Sequence, residues 1–116
     1  PRPIVGASEG LIAVDPATGD RVLLAALPVA DDGNVVRPGT IAVDATATRA
    51  WFTDTERIAE ADLTSGTSRV PPGRFRNLDG LASAPGAKVL VGWNDYDLHA
   101  IFAIDRVTAA TAVISR

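Results

Sequence analysis

The chain has no cysteine and no methionine, one lysine (Lys88), one histidine (His99), and only two Trp, one Tyr and three Phe in 116 residues. Without cysteine there is no disulfide framework and no thiolate metal site, which is compatible with any compartment. A single histidine rules out multi-histidine zinc centres. No apolar run approaches the ~18 residues of a membrane-spanning helix. Ten arginines and the lone lysine are spread along the chain without a cluster. The positive stripe that nucleic acid requires is therefore missing, and neither a nucleic acid nor a membrane span is expected. With no methionine, Pro1 is expected to be a processed end or a fragment end.

The composition is otherwise that of a packed domain, 47% hydrophobic and 22% charged with a net charge of −3. Eleven of the fourteen acids are Asp, the residue of turns and loop ends rather than of helices. The order within the chain is repetitive. LIAVDPATG from Leu11, IAEADLTSG from Ile58 and IFAIDRVTA from Ile101 share one pattern and align Asp15, Asp62 and Asp105, 47 and 43 residues apart. A second element repeats between them, Gly39 to Asp54 matching Gly80 to Asp95 at an offset of 41. Short β-like segments recurring at a period of forty-odd residues predict the blades of a β-propeller.

Apolar and β-branched runs closed by Gly, Pro, Asp or Thr predict strands at 3–7, 11–15, 21–26, 40–44, 49–54, 57–63, 67–71, 80–84, 88–93, 100–105 and 111–115. The alanine-rich stretches near 45–50 and 109–112 have neither a helix cap nor a 3.6-residue stripe. The predicted class is all-β, antiparallel four-stranded blades, about 2.75 of them. An incomplete blade at 1–27 lacks its inner strand, and two full blades follow at 38–71 and 79–116. In DPATG and DLTSG the aspartate is expected to accept a backbone N–H two residues on, and Gly19 or Gly66 to supply positive φ. Ala109 replaces that glycine in the third copy, where a looser turn is expected.

Closed propellers typically use four to eight blades. An open blade face would expose roughly 400–600 Å² of apolar surface, on the order of 10–15 kcal/mol at ~25 cal/mol per Å². The expected partners are therefore further blades, from self-association or from the remainder of a longer chain.

PGTIAVDATATRAWFTDTERIAEADLTSGTSRV resembles the repeat of NHL-type bacterial propellers: P-x-G-I-A-V-D, an apolar strand ending in D-T, and a strand ending in D-L-x-T-G. The resemblance spans nearly all of the chain and is best in the second blade. It implies a ring of four-stranded blades and usually a binding role, although some relatives are enzymes.

In a meander, outer-to-inner and second-to-third connections meet at one end of the blades. That end collects 27–38, 54–57, 71–79 and 94–99, the longer and more polar loops, and is where a ligand is expected. The candidate ligand-binding residues are Asp54, Arg76, Asn77, Asp79, Asn94, Asp95 and Asp97, with Asp31, Asp32, Asn34, Glu56, Arg74 and His99 on the same face. No cofactor is expected. Oxygens of Asn94, Asp95 and Asp97 could contribute to a calcium site, but no D-x-D-x-D-G run is present to complete one. RNLDGLA at 76–82 resembles the P-D-G-L/I segment of gluconolactonase-type lactonases, which implies a metal beside Asp79. Leu78 stands where those enzymes have proline, and Gly39 where they have a metal-binding asparagine in the preceding blade. No serine lies in a nucleophile-elbow context to make a triad with His99. Trp51 and Trp93 are expected to pack between blades. The leading expectation is a non-catalytic binding or scaffold module that takes a protein, peptide or glycan. The alternative is a metal-assisted lactonase or esterase.

Overall fold

The computed structural model describes residues 3–7, 9–44, 46, 48–75, 77–83, 89–94, 100–106, 108 and 110–115. These form eleven strands and no helix: β1 (Ile4–Gly6), β2 (Gly10–Val14), β3 (Arg21–Ala26), β4 (Thr40–Val43), β5 (Arg49–Thr53), β6 (Ile58–Asp62), β7 (Ser68–Arg69), β8 (Gly80–Ser83), β9 (Val89–Asn94), β10 (Ala100–Asp105) and β11 (Thr111–Ser115). Each falls within a residue of a predicted span, except β7. That strand stops two residues short because Pro71 and Pro72, which lack an N–H, cannot continue the ladder.

The strands make three antiparallel meanders, β1-β2-β3, β4-β5-β6-β7 and β8-β9-β10-β11. Among the described residues the first sheet has three strands and the other two have four each. The turn before the last strand of each sheet closes over the same span, by Asp15 N–H to Asp20 O, Asp62 N–H to Thr67 O and Asp105 N–H to Ala110 O at 2.8–2.9 Å. The aspartates cap these turns as expected: Asp15 Oδ1 accepts from Ala17, Asp62 Oδ1 from Thr64 and Ser65, and Asp105 Oδ1 from Thr108. Gly19 and Gly66 have φ of 77° and 80°. The third turn, expected to be looser, keeps the closing bond of the other two; Ala109 itself lies outside the described residues.

The sheets stack with the same sense. One core joins Leu11 and Ala25 of the first sheet to Ala50, Phe52, Ala59 and Ala61 of the second. The other joins Ala42, Trp51 and Ile58 of the second sheet to Leu81 and Ile104 of the third, with Leu78 from the connection between them. Neighbours on a strand point to opposite faces, so Trp51 and Phe52 serve different cores. We call the face turned toward the next sheet forward and its reverse backward. Leu11, Ile58 and Ile101 each lie on a forward face, four residues before the turn aspartate, and are 0%, 2% and 42% exposed. Among the described residues, only the third has no next sheet to cover it. Ser68 Oγ to Ala26 O (3.2 Å) and Ser83 Oγ to Val43 O (3.0 Å) stitch neighbouring sheets together.

One alignment moves by a residue. Gly39 N–H donates to Thr53 O and Asp79 N–H to Trp93 O, both at 2.9 Å, so Asp79 rather than Gly80 is the partner of Gly39. A slip of one residue exchanges the faces of a strand. Gly92 thus takes the place of Phe52, leaving room for Leu78 and Ile104, whose side chains lie within 3 Å of where its Cβ would be. Trp93 faces forward over Gly80, where a Cβ would fall within 2 Å of the indole. Trp51 packs between sheets as expected, whereas Trp93 is 38% exposed with no sheet in front of it.

Candidate functional site

The loop-rich end assembles around Asp32. Its segment folds as a tight excursion: Ala30 N–H reaches Asn34 O, Gly33 N–H reaches Ala30 O with Gly33 at φ 83°, and Val29 bridges Val35. Asn34 N–H then donates to Asp32 Oδ1 at 3.0 Å. The Asp32 carboxylate also accepts from Arg57 Nη1 (2.8 Å) and Arg74 Nη2 (3.1 Å). One side chain therefore joins three connections, 27–39, 54–57 and 70–79. Backbone bonds reinforce the join, Phe75 N–H to Glu56 O and Leu78 N–H to Thr55 O, at 2.7 and 2.8 Å.

The 54–57 turn is built to hold Arg57. Asp54 Oδ1 accepts from the Glu56 and Arg57 amides, and Thr53 Oγ1 donates to Arg57 O at 2.7 Å. Arg57 is 8% exposed, with its Nε 3.7 Å from Asp54 Oδ2 and without a hydrogen-bond partner. Thr55 sits at φ 83°, which a β-branched residue rarely adopts. Its side chain is exposed, so Thr55→Gly is expected to relieve ~1–2 kcal/mol of left-handed strain against ~0.5–1 kcal/mol of added chain entropy. The net is a gain of roughly 0–1.5 kcal/mol, read as a higher denaturation midpoint; a loss would place the threonine side chain in a contact.

Between Arg57, Arg74, Asp31, Val70, Pro71 and Pro72 lies a cavity of about 120 Å³. Arg74 rims it, reaching Asp31 and Glu56 at 3.8 Å each. Four carboxylates (Asp31, Asp32, Asp54, Glu56) thus face two guanidinium groups. The Asn34 amide above all, with Arg74 and Arg57 adding to it, outweighs desolvation and holds the Asp32 pKa down at about 2 from 3.8. A depressed carboxylate pKa stabilises the fold fully above the unfolded value and loses that contribution as pH falls through the folded one. Protection of the Asn34 amide from exchange should accordingly fall between pH 4 and pH 2, a change that Asp32→Asn would abolish.

Of the seven candidate ligand-binding residues, Asp54 belongs to this network, as do Asp31, Asp32, Asn34, Glu56 and Arg74 of the others expected on that face. Asn77 is half-buried in the 70–79 connection. Asp79 lies at the mouth of β8, where its carbonyl accepts from Thr40 Oγ1 at 3.4 Å. Asn94 ends β9, its backbone paired with Ala100. Arg76, Asp95, Asp97 and His99 lie outside the described residues. Among the described residues no three acidic or histidine side chains gather as metal ligands.

Sequence reasoning placed Arg57 at a strand start closing the 54–57 loop but not among the site residues, and it missed a second cluster between sheets two and three. Glu60, its side chain 4% exposed, accepts from Arg49 Nη1 (2.8 Å), Arg106 Nη2 (2.9 Å) and Arg69 Nη2. Arg69 Nη2 also donates to Arg106 O at 2.7 Å, and the Arg106 guanidinium lies 4.9 Å from the Trp51 ring centroid. Burial alone would raise the Glu60 pKa, but the three arginines win and lower it. The available signal was a carboxylate in mid-strand, flanked by alanines in I-A-E-A-D. This cluster locks the two sheets to each other; the Asp32 network shapes a surface.

No protein-family model matches the chain, and no curated protein matches it.

Proposed function

We propose that this chain is a stack of NHL-type propeller blades acting as a non-catalytic binding or scaffold module, with its ligand a protein, peptide or glycan held at the loop-rich end. The observation that carries this reading is the Asp32 network and its cavity. At about 120 Å³ the cavity is well below the ~300–1,000 Å³ of sites that enclose small molecules. It suits one side-chain tip or one edge of a sugar, the rest of the ligand lying across the surrounding loops. Its chemistry is mixed: donors on Arg57 and Arg74, a spare acceptor on Asp31, and an apolar wall of Val70, Pro71 and Pro72. Peptide amides and sugar hydroxyls, which donate and accept together, match that mixture. Three loops tied to one carboxylate also make the surface rigid before the ligand arrives, which lowers the ordering cost of binding.

The test is to probe peptide and glycan arrays with the labelled protein and titrate any hit. Arg74→Ala is expected to weaken such a hit about tenfold or more, the loss of one charged hydrogen-bonding group. A hit whose affinity is the same for wild type, Arg74→Ala and Asp31→Ala would move the site elsewhere.

A further inference from the structure

The two end faces of the sheet stack are alternate halves of one joint. On the backward face of the first sheet, Val5, Ile12 and Leu23 form a cross-strand row, 46%, 9% and 56% exposed. The same row in the second sheet is Phe52, Ala59 and Val70, of which Phe52 and Ala59 are fully covered by the first sheet. On the forward face of the third sheet, Trp93 and Ile101 are paired neighbours, 38% and 42% exposed. Their counterparts in the second sheet, Thr53 and Ile58, are 1% and 2% exposed. Within the chain, forward meets backward twice. Among the described residues, the first sheet keeps an uncovered backward face and the third an uncovered forward one.

We propose that a second copy of this chain covers both, head to tail, so that Trp93 and Ile101 of each copy seat on the Val5 row of the other. The backward face is shaped to receive them, with a depression of about 280 Å³ lined by Val5, Ala7, Ile12, Val14 and Arg21. The position that holds Glu60 in the second sheet is Ala103 in the third, and the position of Arg106 is Pro16 in the first. The new joint therefore has two apolar residues at the positions where the joint between sheets two and three has Glu60 and Arg106. Stoichiometry follows from closure. Three sheets fall below the four to eight of a closed ring and nine exceed it, whereas two copies supply six. This rests on the stacked-blade part of the proposed function and not on its ligand-binding part.

Light scattering of the full chain tests it, with Val5→Arg and Ile101→Arg, both at exposed positions, checked for folding by circular dichroism. Wild type is expected at twice the 12.0 kDa chain mass. Each variant alone is expected to weaken pairing about 100-fold or more and run as a monomer. Mixing the two variants restores one intact joint, since each keeps the face the other has lost, and a dimer should reappear. A monomeric wild type at all concentrations overturns the proposal, and so does a variant that still pairs with itself, which would mean like faces meet. The array measurement repeated on monomeric Ile101→Arg separates this failure from failure of the loop-end site.

Discussion

Glu60→Ala is expected to destabilise the fold by roughly 2–4 kcal/mol. Removing one partner of a buried ion pair typically costs about 3–5 kcal/mol, because the other charge is left behind. Here three charges are left, but Arg49 and Arg69 have side chains 45% exposed and Arg106 27%, so they can turn toward water and recover part of the loss. The shift should appear as a lower urea midpoint with an unchanged slope. Combined with Arg106→Ala, it should show a coupling of roughly 0.5–3 kcal/mol, as groups in one network do. That coupling would be specific to the second-to-third joint, since Glu60 sits on β6 and Arg106 just beyond β10. Additive effects would mean that the two sheets are not locked through this carboxylate. The same cluster sets a pH dependence. With its pKa lowered, Glu60 contributes fully above the ordinary glutamate range, and that contribution fades as pH falls through its folded value.

Phe52→Ala should cost more, about 3–5 kcal/mol, the usual range for removing a fully buried phenylalanine. Phe52 is 0% exposed between the first and second sheets, among Leu11, Ala25, Ala50, Ala59 and Ala61. The four alanines among these have no longer rotamers to swing into the gap, while Leu11, Val36, Leu63 and Val70 in the same core set how far the void closes. The informative control is Val5→Ala. Val5 holds the same place in the first sheet, yet it is 46% exposed. In dilute solution, where copies are apart, it should cost about 0.5 kcal/mol or less. Equal costs at the two positions would mean that the face of the first sheet is covered in the single chain.

Strand positions were legible because their signals are local. Continuous apolar runs such as G-L-I-A-V and A-I-F-A-I-D, each closed by Asp, Gly or Pro, specify strands with no knowledge of their neighbours. The D-x-x-T/S-G turns were legible for the same reason, since the aspartate caps an amide two residues away. Register was less so. The glycines at 39 and 80 invite alignment, but a two-residue period makes a shift of one invisible to composition while it exchanges the two faces. What decided it was non-local: Gly92 yields space to Ile104 and Leu78, so Trp93 faces outward. The loop end was legible as a place, from the direction of a meander, but not as a network. Arg57 and Arg74 meet Asp32 across 25 and 42 residues, a separation at which sequence carries no pairing signal. Glu60 likewise draws its arginines from three different strands and turns.

The stacking of like sheets in one sense is tested most directly by nuclear Overhauser contacts from the two adjacent aromatic rings of β5, in a sample with specifically labelled methyl groups. The Phe52 ring should show cross-peaks to the methyls of Leu11, and the Trp51 ring to those of Ile104. Contacts from both rings to the methyls of a single neighbouring sheet, or from neither, would contradict the stack and the joints inferred from it.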